Sequence, residues 1–244
     1  MKKKAIVVSL KGVKLTLKEK MLLSKEKPWG VILFKRNIKS FWQAKKLTNQ
    51  IKKLTKDKKF PILIDEEGLS VSRLSSIIKQ NIDVNYFGNL YKKDPNIAVK
   101  LYINFLESLC NNLKMLGINI NTIPVLDVLR KNTNKVIGKR SFSENKKIVK
   151  KLGEITISKC HSKSIATVMK HIPGHGCSSK DSHLSMPKIN LSESQLNMID
   201  FYPFKNSLAK LAMTAHLLYS KIDSNNVATF SKKIIKEIIR KKIG

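Results

Sequence analysis

The segment KHIPGHGCSSKDSH, residues 170–183, concentrates side chains that can move protons or bind ligands. It holds three of the chain's five histidines, with one aspartate, two glycines and three serines. Asp181 and His183 are separated by one residue, so a turn can bring the carboxylate to an imidazole nitrogen and support the protonated ring. Such a histidine suits general acid–base catalysis near neutral pH. The same polar residues would equally cap turns around a histidine that has no chemical role.

Two other kinds of site fit this segment less well. His171 and His175 are four residues apart, but Pro173 between them cannot lie inside a helix, and the chain contains no HExxH motif for zinc. Gly174 and Gly176 are too close together for a G-x-x-x-x-G-K-[ST] phosphate loop. We therefore expect neither a metal ion nor any other cofactor at this site.

Short apolar runs alternate with longer amphipathic runs, an order that predicts an α/β fold with a parallel sheet. Asp94 and Pro95 predict the start of one helix and Gly117 its end, and Ser192 and Ser231 precede two further helical runs. The predicted strands are residues 5–10, 31–36, 60–67, 120–128, 166–173 and 212–219, and the predicted helices are residues 40–56, 94–117, 143–163 and 192–210.

Polar side chains gather where several of these strands end, which favours a barrel over a doubly wound sheet. The strand ends of a (β/α)8 barrel converge on one active site, and no G-x-G-x-x-G follows the first strand to indicate dinucleotide binding. We expect an α/β fold of the (β/α)8 TIM type, cut short to about six βα units, in one domain over residues 1–244. The polar residues are Lys35, Arg36, Asp65, Glu66, Glu67, Asp127, Lys170, His171 and His216.

The formal net charge of +31 raises the possibility of a nucleic-acid partner. Only five of the 48 basic residues are arginine, the side chain that usually reads phosphate and guanine, and the lysines are spread along the whole chain. We therefore expect no specific nucleic-acid partner and keep a basic nucleic-acid-associated protein as the less favoured function.

The cysteines and the N-terminal region indicate a cytoplasmic protein. Cys110, Cys160 and Cys177 form no CxxC pair, so they predict neither a disulfide framework nor a cysteine zinc site. The apolar run at residues 5–10 is too short for a signal peptide or a membrane span. We expect no association with a membrane.

Residues 170–183 resemble the K-H-[FIL]-P-G-H-G-x-x-x-x-D-S-H signature of the bacterial glycoside hydrolase family 3 β-N-acetylhexosaminidases. The resemblance extends from about Ile6 to Gly244. Further segments resemble the family in the same order, namely GVILFKRN (30–37), LIDEEGLSVSRL (63–74), INTIPVLDV (120–128), IGKRSF (137–142) and AMTAHLLYSKID (212–223).

This resemblance implies a (β/α)8 hydrolase that removes terminal β-linked N-acetylglucosamine with retention, usually in the cytosolic recycling of peptidoglycan fragments. It implies that His183 is the general acid–base and Asp181 its carboxylate partner. The positions that match the family's sugar-binding residues are Asp65, Arg73, Arg140, Lys170 and His171. Asp65 and Arg73 could also form an ordinary ion pair at a strand end.

Other polar residues near the strand ends receive simpler interpretations. We expect Asp127 to orient neighbouring basic groups, and Glu66 and Glu67 to be solvated or to orient Arg73. We expect His216 to pack beneath the rim of the sheet without a chemical role.

The family's nucleophile is an aspartate in a segment that would begin at Gly244. Retaining cleavage needs that carboxylate, so the activity of this chain alone is in doubt. The alternatives are a truncated or inactive sugar-binding remnant and a chain that borrows the missing part from another polypeptide or protomer. An open sheet has two free edges, which predicts a partner chain that covers them.

Overall fold

The structure is a computed structural model that describes residues 3–181 and 186–244. A curled sheet of six parallel strands forms a half-barrel, in the order β1-β2-β3-β4-β5-β7, and β6 pairs separately with β8. In chain order the strands are β1 (Lys4–Ser9), β2 (Pro28–Leu33), β3 (Ile62–Ile64), β4 (Ile120–Asn121), β5 (Ala166–Ile172), β6 (Lys188–Ile189), β7 (Leu211–Thr214) and β8 (Leu218–Tyr219).

Helices follow most of the strands and pack on the outer face of the sheet. The α-helices are α1 (Leu17–Met21), α2 (Phe41–Thr55), α3 (Val84–Lys93), α4 (Pro95–Met115), α5 (Lys146–Ser162) and α6 (Glu193–Ile199). There are also π-helices at Leu22–Glu26 and Ile234–Ile243, and short 3-10 helices at Lys35–Asn37, Gly138–Arg140 and Tyr202–Phe204. No helix among the described residues is both long enough and apolar enough to cross a membrane.

The predicted half-barrel with six strands is confirmed, but several strands are shorter than predicted. The run at 120–128 keeps only two residues in the ladder, because Pro124 has no N–H to donate and the chain beyond it makes a single bridge from Val125 to Lys170. The run at 212–219 divides into β7 and β8, which belong to different sheets.

The predicted helix starts are largely correct, whereas some helix bounds are wrong. The side chain of Asp94 accepts a hydrogen bond from the backbone N–H of Ile97, with Pro95 in the first turn. The helix predicted over 192–210 ends at Ile199, and a short 3-10 turn containing Pro203 follows it. The short helices α1 and α3 were not predicted.

Two asparagine side chains extend the two-residue strand β4 at both of its ends. Before the strand, Asn119 Oδ1 accepts from the backbone N–H of Ile62 at 2.8 Å, and its Nδ2 donates to Phe60 O at 3.0 Å. Asn121 is the last residue of the strand. Its Oδ1 accepts from Glu66 N at 3.0 Å, and its Nδ2 donates to Glu66 O at 2.8 Å. The side-chain amides therefore continue the hydrogen bonding between β3 and β4.

The apolar core has two parts, which lie on opposite faces of the sheet. The larger part joins the outer face of the strands to the helices, for example Ile62 and Ile64 of β3 to Leu47 of α2 and Leu113 of α4. The smaller part lies on the inner, concave face. It consists of Leu63, Ile120 and Val168, with Trp29, Ile32, Ala166, Leu211 and Met213 partly buried around them.

Candidate active site

A pocket of about 680 Å³ opens where the parallel strands end. Side chains from the loop after β3, the end of β5 and the loop at 135–140 face the same space, as expected for the carboxyl ends of barrel strands. The lining residues are Asp65, Glu67, Ser70, Val71, Arg73, Lys135, Val136, Ile137, Gly138, Lys139, Arg140, Lys170, His171 and Met213. All five residues predicted to bind sugar are among them.

Lys170 is the central cation of the pocket and is almost completely buried, with 2 % of its surface exposed. Its Nζ lies 2.5 Å from Glu67 Oε1 and 3.3 Å from Asp65 Oδ1, and it donates to Thr122 Oγ1 at 2.9 Å. A buried ammonium group is stable only when such partners compensate its lost hydration. The two carboxylates therefore fix the position of this charge.

A buried fork joins Glu67 to Arg140. Arg140 donates from Nε to Glu67 Oε2 at 2.8 Å and from Nη2 to Glu67 Oε1 at 2.9 Å, and its Nη1 donates to Val136 O at 2.9 Å. Burial opposes ionisation of Glu67, but Lys170 and Arg140 outweigh it and hold the pKa of this carboxyl below its usual value. Glu67 is therefore an anion that holds two cations at the pocket.

Asp65 forms an ion pair with a second arginine and keeps one acceptor site that a ligand can use. Its Oδ2 lies 3.3 Å from Arg73 Nη2, and its Oδ1 accepts from Thr122 as well as from Lys170. Burial acts against ionisation, yet Lys170, Thr122 and Arg73 keep the pKa of Asp65 below its usual value. A carboxylate offers about four lone-pair sites, so one remains for a hydroxyl group in the pocket.

His171 is oriented by a buried carboxylate behind it. Its Nδ1 lies 2.7 Å from Asp127 Oδ2, while Asp127 Oδ1 accepts from the backbone N–H of His171 at 3.3 Å and of His175 at 2.6 Å. A register shift in β5 between Lys170 and Ile172 interrupts strand alternation, so the consecutive residues Lys170 and His171 both reach the pocket. When the ring proton is on Nδ1, the other nitrogen, Nε2, carries no proton and lies on the edge of the ring that faces away from Asp127.

The two glycines of the KHIPGHG segment are needed for close packing. Gly174 has φ = +137°, which favours glycine, and a Cβ there would lie 2.7 Å from Asp200 Cβ. At Gly176 a Cβ would lie 1.9 Å from the carbonyl oxygen of Val128. The start of the loop therefore packs closely against the residue that follows α6 and against the chain that leaves β4.

The loop that leads to Asp181 is tied to the loop that lines the pocket. Thr133 Oγ1 donates to Gly176 O at 2.6 Å, and Asn134 donates to Ser178 O at 2.8 Å and to Ser179 O at 3.1 Å. Asp181 is half-buried at the end of this loop and does not line the pocket. The predicted acid–base His183 lies outside the described residues.

Two expectations about neighbouring residues need correction. Glu67 is not solvated, since only 4 % of it is exposed, and it holds Lys170 and Arg140 in place of Arg73; no local sequence signal identifies it. Glu66 follows the second alternative: it is fully buried and accepts from the backbone N–H groups of Arg73 and Leu74 at 2.8 and 3.0 Å. His216 does not pack beneath the rim; it is exposed and contacts Phe230 edge to face. Asp127 does lie against His171 as expected.

Curated relatives cover the same pocket-forming region. A "Beta-hexosaminidase A" from Pseudoalteromonas piscicida is 32 % identical and matches 91 % of this chain but 40 % of its own length. A "Beta-hexosaminidase" from Alkalilimnicola ehrlichii is 32 % identical and matches 98 % of this chain and 69 % of its own length. This chain therefore spans only part of the relatives that it matches.

Solved structures share the fold. NagZ from Neisseria gonorrhoeae in complex with N-trifluoroacetyl-D-glucosamine matches 99 % of this chain and 72 % of its own, at 31 % identity and a TM-score of 0.91. A glycoside hydrolase family 3 β-N-acetylglucosaminidase from a Paenibacillus species matches 98 % of this chain and 45 % of its own, at 26 % identity and a TM-score of 0.86. The family model "Glycosyl hydrolase family 3 N terminal domain" matches residues 3–244. The chain therefore belongs to glycosyl hydrolase family 3, as a form of its N-terminal domain.

Proposed function

We propose that this chain supplies the sugar-binding and acid–base half of a retaining β-N-acetylhexosaminidase, acting on terminal β-linked N-acetylglucosamine. The observation that carries the proposal is the buried cation of Lys170, fixed between Asp65 and Glu67 at the end of β5. Preorganised charges of this kind recognise hydroxyl groups without rearrangement when the ligand binds. The N-trifluoroacetyl-D-glucosamine named with the gonococcal NagZ structure supports this ligand class.

The donors and acceptors of the pocket fit a pyranose ring. Asp65 can accept a hydroxyl proton, whereas Arg73, Arg140 and Lys170 present donors to hydroxyl oxygens. His171, held by Asp127, can donate or accept through its remaining nitrogen. Each sugar hydroxyl can both donate and accept a hydrogen bond. A pocket that offers acceptors as well as donors therefore favours a sugar over a simple anion, which can only accept.

The acid–base role falls to His183 with Asp181 as its partner. Protonation of the leaving oxygen needs a group that titrates near neutral pH, which a histidine beside a carboxylate supplies. The loop that reaches Asp181 is anchored at residues 133–134, next to the pocket wall at 135–140. The sequence thus connects the acid–base segment directly to the sugar-binding residues.

A second candidate function is sugar binding without turnover. Retaining cleavage requires a nucleophilic carboxylate on the opposite face of the sugar. The carboxylates that line the pocket among the described residues are Asp65 and Glu67, and both are held in ion pairs with Lys170. Neither is available as a nucleophile, which favours this second function for the chain by itself.

Two measurements on the purified 244-residue chain test the proposal. Calorimetry with N-acetylglucosamine should detect binding that is at least tenfold weaker in Lys170→Met and in Arg73→Met, and unchanged in the exposed-lysine control Lys18→Met. Circular dichroism establishes whether each variant is folded; Arg73 is less buried than Lys170 and serves if Lys170→Met does not fold. Equal affinity in all variants, or no binding by the wild-type chain, would overturn the proposed sugar site.

Turnover of an aryl β-N-acetylglucosaminide separates the two functions. Hydrolysis that is lost in His183→Ala supports a hydrolase that is complete in this chain. Binding without hydrolysis supports the sugar-binding function. The same assay with glucose-based substrate tests whether the acetamido group is recognised.

We also propose a cytoplasmic location and a role in the recycling of peptidoglycan fragments. The location is supported by the three free cysteines, of which Cys110 and Cys160 lie with their sulfur atoms 3.5 Å apart and unjoined. The role in recycling rests on the proposed sugar specificity. Such thiols are compatible with a reducing compartment. Fractionation of cells that express the native gene tests the location.

A further inference from the structure

A second cavity, of about 450 Å³, lies beside the loop that leads to Asp181. Its walls come from three stretches of chain, which are residues 130–132 after β4, residues 177–180 of the loop, and residues 186–191 around β6. No described residue lines both this cavity and the proposed sugar pocket. Its volume falls within the range of about 300–1,000 Å³ that is usual for sites of small organic molecules.

The charged side chains that line this cavity are all cations. They are Arg130, Lys131, Lys180 and Lys188, and none of the described residues in the walls is acidic. Within the described part of the chain, no carboxylate forms an ion pair with any of the three lysines. A concave surface lined by one sign of charge raises the local concentration of ions of the opposite sign. The cavity is therefore suited to an anion.

Arg130 is the best-fixed of these cations. Its Nη2 pairs with Asp200, whose side chain is fully buried, while 27 % of the arginine side chain stays exposed. Its Nε is buried and has no hydrogen-bond partner among the described residues. The buried carboxylate therefore holds the guanidinium at the wall of the cavity, and a guanidinium presents a planar set of donors that suits phosphate and carboxylate groups.

Neutral polar side chains lie among the cations. Asn132, Ser179 and Asn190 are exposed in the walls and can donate hydrogen bonds to the oxygen atoms of a ligand. A single exposed cation attracts an anion only weakly in water. Appreciable affinity therefore requires a ligand that engages several of these groups at once.

We propose that this cavity binds a small organic polyanion, a molecule with two or more phosphate or carboxylate groups. Arg130 provides the fixed contact, and Lys131, Lys180 and Lys188 neutralise the remaining charge of the ligand. The net charge of +31 alone does not select this place, since lysines cover the whole chain. The concave wall, the anchored arginine and the lack of acidic lining residues together distinguish it.

Calorimetry on the full 244-residue chain tests the proposal, in about 0.15 M salt to screen distant surface charges. Pyrophosphate is the probe for phosphate groups and citrate the probe for carboxylate groups. We expect one equivalent of at least one probe to bind, and the tighter probe identifies the preferred group. Binding should be at least tenfold weaker in Lys180→Met/Lys188→Met. It should also be weaker in Arg130→Lys, which keeps a charge beside Asp200 but lacks the planar set of donors.

Two control variants remove the same amount of charge elsewhere. Lys18→Met/Lys46→Met changes two lysines that line neither cavity, and Lys135→Met/Lys139→Met changes two on the wall of the proposed sugar pocket. Both should bind the probes with unchanged affinity. Every lysine substituted in these double variants is exposed, so we expect each variant to fold, which circular dichroism verifies.

The proposal does not rest on the proposed sugar-binding function, because the two cavities share no described residue. Failure to bind either probe would overturn it. An equal loss in Lys18→Met/Lys46→Met would show attraction by bulk charge only. A loss confined to Lys135→Met/Lys139→Met would place the anion in the other pocket and would equally refute this site.

Discussion

The carboxylate of Glu67 accepts two hydrogen bonds from Arg140, and its Oε1 also lies 2.5 Å from Lys170 Nζ. One anion thus positions two cations that come from different parts of the chain, a 3-10 turn after β4 and the end of β5. Because Glu67 holds both cations, the shape of the pocket depends on a lining residue of which only 4 % is exposed.

Substituting Glu67 by Gln should destabilise the fold strongly. The change keeps the shape of the side chain but leaves two buried cations with less compensation, which typically costs about 3 kcal/mol or more of unfolding free energy. Urea denaturation measures the loss. Glu26→Gln is the matched control, because Glu26 pairs with Lys4 on the exposed surface and should give little change. Similar losses in both variants would contradict a special role for Glu67.

Substituting Asp127 by Asn should change the tautomer of His171. An amide can present its NH2 group to Nδ1, which would move the ring proton to Nε2. We expect about tenfold weaker binding of N-acetylglucosamine, since a hydrogen bond to a charged group contributes roughly 1.5 kcal/mol or more. Nitrogen-15 NMR of the imidazole reports the tautomer directly. Asp57→Asn, at a half-buried carboxylate that pairs with Lys3 away from the pocket, is the control. An unchanged spectrum in Asp127→Asn would refute the prediction.

The stability of the protein should depend on pH through Asp200. Burial raises the pKa of this carboxyl to about 6 and outweighs the opposing effect of Arg130. The folded state therefore binds the proton more tightly than the unfolded state, so this contribution is complete below about pH 4 and is lost as the pH rises through about 6. The loss is about 3 kcal/mol.

The comparison with Asp200→Asn isolates this contribution. Between pH 4 and pH 7 the wild-type chain should lose about 2 kcal/mol more unfolding free energy than the variant, which cannot titrate at this position. Urea denaturation at each pH measures the difference. Parallel pH profiles would show that Asp200 does not titrate in this range.

Substituting Gly176 by Ala should disturb the loop before Asp181. The added methyl group would lie 1.9 Å from the backbone oxygen of Val128, and a backbone atom cannot move aside cheaply. We expect a loss of about 2 kcal/mol or more, measured by thermal unfolding. Gly12→Ala is the matched control, because no atom lies within 4 Å of the corresponding position. Equal stability of the two variants would contradict this reading of the loop.

Hydrophobic runs predicted the order of the elements well, since strands buried on both faces have a strong apolar signal. The strand ends were harder to place, because they depend on hydrogen bonds between segments far apart in the chain. At β4, the regular ladder ends at Asn121 and only a single bridge from Val125 to Lys170 follows Pro124, although Val125 and Leu126 continue the apolar run. The short helix α3 escaped prediction, since Gly88 lowers its helix propensity and is required there by contact with Phe142.

The residues proposed to bind sugar were identifiable from the family motifs, but the residues that support them were not. The family motifs contain Asp65, Lys170 and Arg140. Glu67, in contrast, is the last of three consecutive acidic residues, and nothing in the sequence separates its role from theirs. Its burial results from the convergence of the β3 loop, β5 and the turn at 138–140, which no local pattern encodes. The prediction for His216 was wrong for a related reason. A position at the end of a strand does not indicate whether other elements bury the side chain.

The asparagines at the two ends of β4 allow the half-barrel to be wider where the pocket opens. At the pocket end, Asn121 reaches across to both backbone groups of Glu66, so the two chains diverge there while the N–H and C=O of Glu66 stay hydrogen-bonded. Neither aspartate nor leucine could replace it, because one side chain must donate and accept at once. Asn121 is thus a spacer in the wall, and the length of its side chain sets the gap between the two chains at the mouth of the pocket.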